Sequence, residues 1–123
     1  MPKKILLVDD EPPIIEMYGQ KLARGGYQVI PARNGEEALK LAQTQQPDLI
    51  LLDIIMPKFN GLDVLQTLKA DSRTEKIPVI LLSNIPKYTS QAKGKELGAL
   101  DYFFKVDTVP AELLSLVNQR LGS

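Results

Sequence analysis

Three acids in a row, Asp9-Asp10-Glu11, follow directly on the apolar run Ile5-Leu6-Leu7-Val8. A further acid, Asp53, ends the apolar run Leu49-Ile50-Leu51-Leu52. Ser83 and Asn84 close a third run that begins at Pro78, and Lys105 closes a fourth that begins at Ala99. Clustered carboxylates disfavour joint ionisation unless a cation sits among them. Oxygen donors in a chain with no His and no Cys point to a hard ion, Mg²⁺ or Mn²⁺. A hard cation, an ammonium and a hydroxyl together suit the equatorial oxygens of a transferring phosphoryl group. One of the carboxylates can then act as nucleophile and form an aspartyl phosphate.

That chemistry requires the four run ends to lie together, which depends on the elements between them. Residues 5–8, 27–32, 49–52, 78–83 and 99–104 read as strands, the second being the least hydrophobic and suited to an edge. Pro12 or Pro13 fits the first turn of a helix whose stripe is Ile14, Ile15, Tyr18, Leu22 and Ala23, ended by Gly25-Gly26. Asn34 and Glu37 resemble a capping box before the stripe Ala38, Leu39, Leu41 and Ala42, which Pro47 stops. Pro57 and Gly61 mark a turn-rich loop before a helix over 62–69. A weaker helix over 89–97 contains Gly94, and a last helix over 111–121 carries Leu113, Leu114, Val117 and Leu121. Five strand-then-helix units with short loops predict a parallel sheet covered on both faces, an α/β three-layer sandwich. In such a sheet ligands bind beyond the carboxyl ends of the strands, which is where Asp9, Asp10, Asp53, Ser83 and Lys105 stand. Arg33 and Asn34 end the remaining strand.

The 123 residues suit a single domain. Lys plus Arg and Asp plus Glu each number 15, so net charge gives no argument for nucleic acid or an anionic membrane. No apolar run reaches membrane-spanning length and no basic-then-apolar leader is present, as expected of a soluble intracellular domain. Neither G-x-x-x-x-G-K-[ST] nor G-x-G-x-x-G occurs, so the phosphoryl donor is expected from elsewhere. One Asp at a strand end is more often a helix cap or a solvated loop residue; the conjunction of four such ends carries the phosphoryl reading.

The pieces "ILLVDDEP" (5–12), "NGEEAL" (34–39), "PDLILLDIIMP" (47–57), "NGLDVL" (60–65), "IPVILLS" (77–83) and "GALDYFFK" (98–105) resemble, in this order, the receiver domain of two-component response regulators. The likeness covers essentially the whole chain, 1–123, as one receiver domain. It implies a flavodoxin-like sheet of strand order 2-1-3-4-5. It implies that Asp53 accepts a phosphoryl group from a histidine kinase or histidine phosphotransfer protein. Mg²⁺ would be held by Asp9, Asp10 and the backbone carbonyl of Ile55. Ser83 and Lys105 would bind the phosphoryl group, Tyr102 would be an aromatic switch, and Asn84 and Met56 would modulate access.

The resemblance further implies a cytoplasmic switch that catalyses its own phosphorylation and dephosphorylation without being a turnover enzyme. A downstream protein or a second copy would bind the face formed by the fourth helix, fifth strand and fifth helix. Direct nucleic-acid or membrane binding by the domain is not expected. Two departures stand out: Asn84 replaces a small residue, and Val106 replaces the Pro that often follows the lysine, giving Lys105-Val106-Asp107. Without that Pro the usual reason for a cis bond is gone. Pro110 suits a first helical turn, although Val109 is a poor cap. The competing readings are a degenerate receiver serving as an interaction module and a flavodoxin-like enzyme; acids after the first strand would repel a flavin phosphate.

Overall fold

The computed structural model describes residues 2–56, 59–83, 95–104 and 110–121. In chain order these form β1 (Lys4–Val8), α1 (Pro12–Arg24), β2 (Gln28–Ala32), α2 (Gly35–Gln45) and β3 (Leu49–Asp53). A short ribbon pairing Ile55–Met56 with Phe59–Asn60 follows, then α3 (Gly61–Ala70), β4 (Val79–Ser83), β5 (Asp101–Phe104) and a C-terminal helix (Pro110–Leu121). The five long strands make one parallel sheet in the order β2-β1-β3-β4-β5, the expected flavodoxin-like arrangement. Asn84, Gly94, Lys105, Val106, Asp107 and Val109 lie outside the described residues, as does most of the helix expected over 89–97. Residues 95–96 are helical, and a turn at Gly98, φ +102°, leads toward β5.

Strand periodicity divides the core in two. Leu6, Val8, Ile50, Leu52, Val79, Leu81 and Tyr102 face α2 and α3, meeting Ala38, Ala42, Val64, Leu65 and Leu68. Ile5, Leu7, Leu49, Leu51, Ile80, Leu82 and Phe103 face α1 and the C-terminal helix, meeting Tyr18, Leu22, Leu113 and Val117. Tyr18 and Phe103 pack edge to face with centroids 6.4 Å apart. Every residue of β3 and β4 is buried, which explains their unbroken apolar runs. Each Leu or Ile so buried contributes roughly 1.5–3 kcal/mol. β2 is an edge strand and contains Pro31, which lacks the N–H that an interior strand would use.

Helix ends fix where the chain leaves the sheet. Pro12 and Pro13 occupy the first turn of α1, and no side chain caps it. At α2 the Asn34 side chain accepts from the Glu37 N–H at 2.8 Å. Glu37 reaches back one residue further than a standard capping box, accepting from the Arg33 N–H at 3.2 Å. Both arms fasten the end of β2 to α2. Asn34→Ala is expected to lower stability by about 1 kcal/mol, read as a lower urea midpoint with unchanged slope. An unchanged midpoint would mean that this cap is replaced by water at no cost.

Candidate functional site

The parallel ladders bring three of the expected site residues to one end of the sheet. Val8 pairs with both Ala32 and Leu52, so Asp9 and Asp53 leave adjacent strands at the same height. The Asp9 N–H donates to the Ala32 carbonyl at 3.0 Å, prolonging the sheet by one bond. Its Oδ1 accepts from the Glu11 N–H at 3.0 Å, and this side-chain turn bends the chain into α1. Asp53 pairs with Leu82 of β4, and Ser83 is the next residue along that strand. Asp9 and Ser83 are fully buried, Asp53 is nearly so, and Asp10 is partly exposed.

Carboxylate oxygens of Asp9, Asp10 and Asp53 all lie within 4.8 Å of one another. At that separation each pair of like charges repels by on the order of 3 kcal/mol for an effective dielectric near 20. Three oxygen donors at this spacing fit a small hard divalent cation, and the lack of His and Cys argues against a softer one.

The remaining expected residues divide. Ile55 lies two positions beyond Asp53 and is 61% exposed. Met56 is instead buried in the core facing α2 and α3, and with Ile54, Ile55, Phe59 and Asn60 it lines a cavity of about 310 Å³. Tyr102 is buried in that same core, opposite Leu81. Its N–H donates to Asp101 Oδ1 at 2.8 Å, while Asp101 Oδ2 pairs with Arg120 of the C-terminal helix at 2.6 Å. Asn34 is engaged in its cap, and Arg33 is exposed. Lys105 and Asn84 fall outside the described residues.

Two neighbours of the acids are not among the expected site residues. Asn60, whose side chain accepts from the Leu62 N–H at 2.8 Å, caps α3. Gly61 begins that helix directly against the Asp53 backbone and donates its N–H to the Ile54 carbonyl at 2.6 Å. The Asn-Gly pair signals a turn; it carries no sign of what the turn packs against.

Residues 5–118 match the family described as the response regulator receiver domain. The chain belongs to that family. Among relatives of the receiver domain, the alkaline phosphatase synthesis transcriptional regulatory protein PhoP of Bacillus subtilis (strain 168) is 45% identical over 105 residues, covering 85% of this chain and 43% of that protein. Protein PilH of Pseudomonas aeruginosa is 38% identical over 102 residues, covering 83% and 84%. A CheY-like response regulator receiver domain protein from Methanospirillum hungatei JF-1 superposes with a TM-score of 0.91 at 25% identity, covering 99% of this chain and 95% of that one. The chain thus spans about two fifths of the length of several of the curated relatives it matches, at 43%, 42% and 39%. No helix among the described residues is long and apolar enough to cross a membrane.

Repulsion in the acidic cluster yields a test. In metal-free buffer Asp10→Asn is expected to raise the melting temperature by about 4 °C for each kcal/mol relieved. Added Mg²⁺ should erase or reverse the difference. Equal melting temperatures with and without the substitution would show that the three charges are already neutralised within the protein.

Proposed function

We propose that the receiver domain is a phosphoryl-accepting switch in which Asp53 takes the phosphoryl group of a phosphohistidine on a kinase or phosphotransfer protein. The observation that carries this reading is the convergence of Asp9, Asp10 and Asp53, oxygens within 4.8 Å, at the carboxyl end of a parallel sheet. Asp9, Asp10 and the Ile55 carbonyl would hold Mg²⁺, with Mn²⁺ as a substitute. Bound there, the ion would neutralise charge on the transferring oxygens.

In the reaction a carboxylate oxygen of Asp53 attacks phosphorus in line, an O–P bond forms and the P–N bond breaks. Its electron pair returns to the imidazole nitrogen, and a ring protonated on its other nitrogen leaves neutral. Burial of Asp53 holds the carboxylate in one direction and limits competing water. Ser83, at the end of the adjacent strand, would donate its hydroxyl to a phosphoryl oxygen, and Lys105 would add an ammonium from beyond β5. Drawing Ser83 toward Asp53 would change packing around Leu81 and its neighbour Tyr102, and so the surface near β5 and the C-terminal helix. That surface would meet a downstream protein or a second copy, and a kinase partnership of this kind belongs to the cytoplasm. The intact acidic set favours this over a degenerate interaction module.

Intact-mass measurement after incubation with Mg²⁺ and acetyl phosphate tests the reading. One phosphoryl group is expected on the wild type and none on Asp53→Asn. Chelation should slow labelling by about 100-fold or more, since several kcal/mol of charge stabilisation would go. Equal labelling of Asp53→Asn would assign the reaction to another residue.

The switch has its own readout. Amide NMR of the free and phosphorylated protein should show shifts at Ser83, Tyr102 and the helix bearing Arg120. Shifts confined to the neighbours of Asp9 and Asp53 would rule out transmission through Tyr102.

A further inference from the structure

Gly61 stands out because its need for glycine is not conformational; among the described glycines only Gly26 and Gly98 have positive φ. The requirement is space. A Cβ at residue 61 would lie 2.6 Å from the Ile54 Cα and 2.9 Å from the Asp53 carbonyl carbon, and closer still to the Asp53 carbonyl oxygen. All three are backbone atoms, two of them in Asp53, the last residue of a strand buried on both faces, and the third in the residue that follows it. They have no rotamer by which to yield.

Three features make this contact a seat. The Gly61 N–H donates to the Ile54 carbonyl at 2.6 Å. Asn60 caps the first turn of α3 through the Leu62 N–H. The ribbon pairs Ile55 with Asn60, so the backbone directly after Asp53, at Ile54 and Ile55, is tied to the start of the helix. Burial of Val64, Leu65 and Leu68 then anchors α3 itself.

We infer that Gly61 is a positioning residue: by letting α3 seat on the Asp53–Ile54 backbone, it sets the placement of the Asp53 carboxylate and the Ile55 carbonyl relative to Asp9 and Asp10. This rests on the metal and phosphoryl reading above, and the test separates the two. A side chain at residue 61 moves the strand end or lifts the helix. Either displaces the Ile55 carbonyl, one of the three groups proposed to hold the cation, together with the Asp53 carboxylate beside it, without touching Asp9 or Asp10.

Gly61→Ala is compared with wild type and with Gly25→Ala. A Cβ at Gly25 would lie 2.6 Å from the Leu114 side chain, a comparable clash with an atom that can move and one remote from the acids. In metal-free protein, amide NMR should show Gly61→Ala shifts concentrated at residues 53–55 and 60–62. Calorimetric Mg²⁺ affinity should fall by about 10-fold or more, the usual cost of losing a group that orients ligands. Gly25→Ala should lose stability and keep wild-type Mg²⁺ affinity.

If Gly61→Ala does not fold, Asn60→Ala carries the test, with a smaller loss of Mg²⁺ affinity expected from an uncapped α3. Wild-type affinity in folded Gly61→Ala, or in Asn60→Ala where only that folds, overturns the inference. An equal loss in Gly25→Ala also overturns it, because the effect would then be general destabilisation. A wild-type protein that binds no Mg²⁺ refutes the metal reading instead. Positioning is then judged on the metal-free shifts alone, and unmoved amides at residues 53–55 refute it.

Discussion

The structure depends on one constraint, the parallel pairing of β1 with β3. Register places Val8 beside Leu52, so the residues that follow, Asp9 and Asp53, must emerge together. Their mutual repulsion, on the order of 3 kcal/mol per pair, cannot push the strands apart because the strands are held from both sides. Ile5, Leu7, Leu49 and Leu51 enter one core while Leu6, Val8, Ile50 and Leu52 enter the other. At roughly 1.5–3 kcal/mol for each such buried side chain, packing outweighs the repulsion several-fold. The charges are therefore held close by a framework indifferent to them, an arrangement that would suit the cation and phosphoryl group proposed for the site.

Around that fixed pair the chain uses different devices on each side. On the β1 side a single carboxylate does two things, since Asp9 points toward the cluster and also accepts the Glu11 N–H that turns the chain into α1. On the β3 side the return begins beyond the acid itself. A two-residue ribbon, the Asn60 cap and the close seating of Gly61 bring the chain back against its own strand. The first device places an acid through its own hydrogen bond; the second places one through a backbone approach that only a residue without a side chain permits.

What was legible in the sequence follows from range. The five strand-then-helix units and the unbroken run of β3 announce two covered faces, and the strand order follows from the resemblance. Asn34 announced a cap three residues before Glu37, though the reach of Glu37 to Arg33 depends on local backbone direction that letters do not carry. The apolar Ala99 and Leu100 predict a fifth strand two residues longer at its start than the one that forms. The Leu100 N–H does bond the Val79 carbonyl at 2.7 Å, but the residue is 42% exposed, and the strand begins at Asp101. Met56, which the resemblance offers as a modulator of access, packs in the core and also lines the cavity beside Ile55, a placement that the letters do not carry. The ribbon was too short to give a periodic signal. The packing of Gly61 on Asp53 is a through-space approach with no local pattern at all.

Sheet geometry also bears on how a charge at one strand end could be felt elsewhere. Ser83 and Tyr102 are on neighbouring strands, offset by two residues in register, since Leu81 pairs with Tyr102 and Ser83 with Phe104. Movement of Ser83 along its strand direction would be transmitted through the β4–β5 ladder. Tyr102 packs in the core against α2 and α3, whereas Phe103, the next residue, packs against Tyr18 on the opposite side. A rigid translation of β5 would disturb both cores, while rotation of one side chain disturbs only one. Asp101 opposes the translation: it accepts the Tyr102 N–H through one oxygen and holds Arg120 through the other, tying β5 to the C-terminal helix. With the strand so fastened, side-chain rearrangement on the Tyr102 face would be the softer response, and it would leave intact the core beneath α1.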